Sequence, residues 1–130
     1  MKATGTDPDG TLGAGLNLNG VATAGSTKLQ IGDTGTSAAW GVKFPHTAAI
    51  ASSGTGIVVG NTVFLVVRIQ YVSGSNNDVV TLWVNPPLGA NAPATPSATL
   101  TGVDIPPVDR AEFKGTRSAV ADELSIGTSW

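Results

Sequence analysis

One histidine and two glutamates limit the chemistry open to this chain. His46 is the sole histidine, so any serine hydrolase built here must use it as base. Ser37, in Gly35-Thr36-Ser37-Ala38-Ala39, is the nearest approach to a nucleophile motif. It is one glycine short of the G-x-S-x-G elbow, and a strand is expected after it where the elbow needs a helix. The plain reading of His46, next to Pro45 at a strand end, is an ordinary loop residue. Glycoside hydrolysis needs two carboxylates flanking the scissile bond. The chain has no E-x-D-x-x-E cluster, and Glu112 and Glu123 are its only glutamates. Asp122 and Glu123 are neighbours on an expected strand, so they point to opposite faces and cannot act as a pair. A small hydrolase of esters, phosphates or glycosides, using Ser37 with His46 or a site across strands from Glu112 and Glu123, is thus the alternative reading. Catalysis ranks below binding.

Metal chemistry is equally constrained. One histidine and no cysteine cannot fill a typical zinc site. Calcium wants several oxygen ligands on a flexible loop. Asp7-Pro8-Asp9-Gly10 opens like such a loop, and Asn76-Asn77-Asp78 offers a second. Asp7, Asp9 and Asp78 are the calcium candidates, and no other cofactor is expected. Both segments are also ordinary turn sequences. Ligand binding would rest on aromatic faces. Trp83 falls on the polar side of its strand, with Arg68 available to cover it, and Trp40 lies beside Gly41. The competing expectation is that both tryptophans sit in the core, since Trp is highly buried on average.

The elements that must position these residues are strands. In Thr62 to Pro86, TVFLVVRIQYVSGSNNDVVTLWVNP, the odd positions Val63, Leu65, Val67, Ile69 and Tyr71 are apolar. After SGSNN, Val80, Leu82 and Val84 form one side of a second run. Period two with β-branched and aromatic residues marks strands with one buried face. Weaker strands are expected at Leu12 to Gly20, Thr27 to Asp33, Ala38 to Phe44, around Leu100, and at Arg110 to Gly115 and Ala121 to Gly127. Residues 45 to 61 read as a long connection. The proline-rich Pro86 to Ser97 must be loop, because proline cannot donate to a ladder. Many short strands with Gly/Pro turns imply an all-β protein, an antiparallel β-sandwich.

Composition agrees with one domain over residues 1–130. Charged residues are 12% of the chain, about half the usual ~25%. A net charge of −2 with no Lys/Arg cluster gives no electrostatic pull toward nucleic acid or an anionic membrane. No apolar run approaches the ~20 residues of a membrane helix. MKATGTDPDG lacks the apolar segment of a signal peptide, so an exported origin would make this a piece of a longer chain.

FLVVRIQY, TLWVNPPLG, SATL and DELSIGTSW, in that order, resemble the C-terminal half of a LamG-like (concanavalin A-like) jelly roll. Such domains recur in large exported proteins of planctomycetes and related bacteria, often with a PEP-CTERM sorting tail. GDTGTSAAWGVKFP and DGTLGAGLNLNG resemble the segments that precede it there. The resemblance implies a jelly roll truncated at its N-terminus, an extracellular or cell-surface setting and glycan contact, with no assigned reaction. The family domain is usually longer, and its N-terminal strands and the sorting tail have no counterpart here.

Three structural expectations follow. Pairing Ile69 with Leu82 and Val67 with Val84 would set Arg68 directly opposite Trp83. A last hairpin would set Lys114 opposite Glu123 and Phe113 opposite Leu124, keeping Glu112 and Glu123 apart, because like charges repel across strands. Missing strands would leave open edges, and the chain would pair with itself as a dimer. That interface would bury Trp40 or the apolar side of Leu12 to Leu18.

Overall fold

The computed structural model describes residues 2–3, 14–20, 28–33, 39–45, 49–89, 91–115 and 119–128. The described residues form ten strands: β1 (Lys2–Ala3), β2 (Ala14–Gly20), β3 (Leu29–Asp33), β4 (Ala39–Phe44), β5 (Ala49–Gly56), β6 (Leu65–Gln70), β7 (Asp78–Val84), β8 (Ala98–Val103), β9 (Val108–Gly115) and β10 (Ala119–Val120). They form an antiparallel β-sandwich. One sheet has five strands in the order β5-β4-β3-β2-β9, the other three in the order β6-β7-β8, and β1 pairs with β10. Strands β2 to β5 run as a meander, β6 to β8 as a second one, and β9 returns to lie beside β2.

The core lies where β7 and β8 cross β4 and β5. Leu29, Ile31, Val42 and Phe44 supply one side, and Val80, Leu82, Ala98 and Leu100 the other. These residues alternate along their strands, so the period-two pattern turns one face of each sheet inward. Val103 and Ile105 extend the core past the end of β8. Leu16, Leu18, Leu65, Val67 and Ile69 pack against it but stay half-buried. Three strands cannot cover five, and the shortfall is felt on β2 and β9. Facing the core side, Ala111 stands opposite Leu18 and Phe113 opposite Leu16. Yet Phe113 remains 51% exposed.

The central hairpin has its apolar side inward, as the alternation requires, but its register differs from expectation by two residues. Ile69 pairs with Val80, Val67 with Leu82 and Leu65 with Val84. A two-residue shift keeps every side chain on its face, so alternation could not choose between the registers. The ends decide. At one end Asn85 donates its N–H to the Phe64 carbonyl at 2.7 Å, and its Oδ1 accepts the Phe64 N–H at 2.8 Å. Asn85 adopts φ 51°, a left-handed conformation that asparagine tolerates well. At the other end the Asp78 carboxylate accepts the Val72 N–H and the Ile105 N–H, each at 2.8 Å.

Two other expectations are corrected. Residues 45 to 61 are not one long connection, since β5 occupies Ala49–Gly56. Its Ser/Gly/Ala composition hides the strand, and Ala51 packs against the core. The last hairpin does not form. Strand β9 pairs with β2, and residues 121–128 belong to no strand. Leu124 and Ile126 are exposed, and Glu123 sits at φ 52°. A left-handed residue interrupts the extended backbone on which that pairing depended.

Two expected outcomes follow from this packing. Leu82 is fully buried, so Leu82→Ala should cost about 2–5 kcal/mol, read as a lower urea midpoint at unchanged m-value. Thr101→Ala, on an exposed position of β8, should stay within about 0.5 kcal/mol. Tyr71 is the sole tyrosine and flanks the Asp78 clamp. Burial pushes its phenol upward, the Val108 backbone works the other way, and the Asp78 charge adds to the rise. The folded chain therefore holds this proton more tightly than the unfolded one. Its contribution to stability is complete below the ordinary phenol value of about 10 and is lost as pH rises through the folded value. An ultraviolet phenolate titration should show one transition, higher in the native chain than in denaturant.

Candidate functional site

Strand alternation puts Phe64, Val66, Arg68 and Gln70 on the outer side of β6, opposite the face that carries Leu65, Val67 and Ile69. On β7, Thr81 and Trp83 share that outer side, because Val80 and Leu82 are in the core. Val66 stands directly across from Trp83, and Arg68 across from Thr81. Arg68 reaches Trp83 along the diagonal, with its guanidinium carbon 5.7 Å from the ring centroid. That lies within the ~6 Å reach of a cation–π contact. The two residues are on one face, as expected, but they are not directly opposed.

Trp83 is an outward residue that solvent does not reach. It is only 4% exposed. The segment after β7 folds back over it: Trp83 Nε1 donates to the Pro93 carbonyl at 3.1 Å. Ser97 fastens the far end of that loop, its Oγ accepting the Val84 N–H at 2.9 Å and its own N–H donating to the Leu82 carbonyl at 2.8 Å. The ring expected to offer its face to a ligand is thus nearly closed off from solvent, with Arg68 above it and the Pro93 carbonyl at its Nε1 edge. Arg68 itself is exposed, and no carboxylate among the described residues forms an ion pair with it. Phe64 is half-exposed on the same side of β6, and Thr99 and Thr101 are exposed on β8.

Trp40 is the second correction. It lies in β4 opposite Asp33 and is 1% exposed, so it can form neither a sugar platform nor a dimer surface. Its Nε1 has no acceptor among the described residues.

The remaining candidates scatter. Ser37, His46, Asp7 and Asp9 lie outside the described residues. Glu112 stands on β9 opposite Asn17 and forms an ion pair with Lys28 at 3.4 Å. Glu123 lies beyond the strands, so the two glutamates do not face each other across a ladder. Asp78 is buried, and each of its oxygens accepts a backbone N–H, which commits the carboxylate to the fold. Asn77 Nδ2 donates to the Ser73 carbonyl, and the Asn76 N–H donates to Asp104 Oδ1. The Asn76-Asn77-Asp78 run is thus a hydrogen-bonded turn. Among the described residues no group of three or more His, Cys, Asp or Glu side chains gathers where a metal could sit.

No residue pattern pointed to the Lys28–Glu112 pair, which joins residues 84 positions apart. The Asn85 lock was more legible, because asparagine before two prolines at a strand end signals a turn. No known family model, curated protein or solved structure matches this chain.

Asp78→Ala would leave the buried Ile105 N–H and the part-buried Val72 N–H without this acceptor. It should cost on the order of 2–4 kcal/mol by denaturant titration. Calcium should leave the melting temperature of the parent chain unchanged through this residue. A calcium-induced rise that Asp78→Ala abolishes would return the carboxylate to a metal.

Proposed function

We propose that this chain is a non-catalytic β-sandwich interaction module that binds glycan through the outer face of its three-stranded sheet. The observation that carries the reading is Arg68: an exposed guanidinium held over an indole, with no acidic partner among the described residues. A guanidinium stacked on a ring has lost most of its freedom before a ligand arrives. Its N–H edges can still donate to a carboxylate in bidentate fashion. Half-exposed Phe64 supplies an apolar surface on the same side, and Thr99 and Thr101 supply hydroxyls. A ligand suited to that surface is a polyhydroxylated chain carrying carboxylates, such as a uronate-containing oligosaccharide.

The sandwich is read further as a LamG-like jelly roll from an exported, surface-associated parent protein. Support for it comes from the ordered motifs and from the return of β9 to the side of β2, a Greek-key step of the sort jelly rolls contain.

Calorimetric titration with uronate-containing and neutral oligosaccharides tests the reading. Binding should favour the uronates and weaken as salt rises. Arg68→Ala should reduce affinity by roughly tenfold or more, with little change in melting temperature. Uronate binding that survives Arg68→Ala, or no binding to any glycan, would sink the proposal.

A further inference from the structure

Trp83 divides the outer face of the three-stranded sheet in two. It forms a rung with Val66, and beyond that rung lie Phe64 and Asn85. On the near side, Arg68, Thr81 and Thr99 stand in one rung across β6, β7 and β8. Gln70 and Thr101 follow on β6 and β8, two residues further from Trp83. A short ligand held by Arg68 can extend to one side of the Trp83 rung only.

The polar groups choose the side. Toward Phe64 they are committed to the fold. Asn85 Oδ1 accepts the Phe64 N–H, Ser97 Oγ accepts the Val84 N–H, and the Pro93 carbonyl accepts Trp83 Nε1–H. Trp83, between Arg68 and Phe64, is nearly closed off from solvent and gives a ligand no face to rest on. On the other side Gln70, Thr99 and Thr101 are exposed, and their side chains hold no hydrogen bond among the described residues. Threonine is restricted at χ1, so the strand sets its hydroxyl in place and little ordering is left to binding. Thr99 lies two strand spacings from Arg68, about 10 Å, and Thr101 lies about 7 Å from Thr99. That area suits a sugar ring beside the bound carboxylate.

Charge narrows the ligand further. In β6, β7 and β8 the charged residues are Arg68 and Asp78, and Asp78 is buried with both oxygens hydrogen-bonded. Arg68 is thus the one cation of this face, and it can pair one carboxylate. A second carboxylate over Thr99 and Thr101 would lose water without gaining a counter-charge. Granted the glycan reading of the Arg68 surface, on which this rests, we infer that the ligand is a uronate joined to a neutral sugar. The uronate sits on Arg68, and the neutral sugar lies over β7 against Thr99 and Thr101, away from Phe64.

Calorimetric titration with a glucuronate-xylose disaccharide and with digalacturonate tests this, with circular dichroism as the check on folding. The mixed disaccharide should bind more tightly than digalacturonate. Thr99→Val and Thr101→Val, isosteric changes at exposed positions, should each weaken the mixed disaccharide by roughly three- to tenfold and narrow that preference. Phe64→Ala should leave its affinity unchanged. Equal or tighter binding of digalacturonate, indifference to both threonine changes, or a loss on Phe64→Ala would each overturn the inference while leaving Arg68-dependent glycan binding in place. Failure of both disaccharides to bind, or binding that survives Arg68→Ala, would remove the glycan reading and this inference with it.

Discussion

The carboxylate of Asp78 is the constraint on which the arrangement of the chain turns. It opens β7, is buried, and holds two backbone N–H groups from different parts of the sequence. Through Val72 it fixes where the central hairpin ends. Through Ile105 it fixes the start of the segment that leaves the small sheet and becomes β9. A charged acceptor is well suited to this, because its hydrogen bonds are about twice as strong as those between neutral groups. Asp104 adds a second tie from the same segment to the hairpin turn. The path from β8 back to the large sheet is therefore anchored before β9 begins, and β9 reaches β2 from a fixed origin.

The second shaping fact is the imbalance of the sheets. Five strands face three, and the smaller sheet covers β4 and β5. Leucines of β2 and apolar residues of β6 are left half-buried, and Val108 to Phe113 of β9 are exposed. On the outer side of the smaller sheet the loop after β7 reaches back to Trp83 through the Pro93 carbonyl, and Arg68 lies above the same ring.

Much of this was legible in the residues. Alternation in FLVVRIQY and VVTLWV placed Leu82, Val80 and Val67 on the core side and Arg68 with Trp83 on the other. Proline placed the loop after β7. What alternation could not supply was register, because shifts of two residues leave every face unchanged. It also could not show that an outward tryptophan would be buried, since Pro93 reaches Trp83 only once the loop has folded back. β5 escaped notice because serine, glycine and alanine carry little strand signal, and a strand made of them is held by its neighbour β4.

The sequence by itself determined the class of fold, the inward face of each strong strand and the poverty of catalytic groups, because each of these depends on residue type and local period. Only the tertiary structure decided which strands became neighbours. Arg110 to Gly115 looked like half of a terminal hairpin, yet β9 lies against β2, nearly a hundred residues away in the chain. The local pattern permitted both pairings. The apolar Leu16 and Leu18 face offered Phe113 and Ala111 a partner surface, and the left-handed Glu123 removed the alternative. Strand pairing is a competition between surfaces distant in sequence, and periodicity, which is local, carries no information about its outcome.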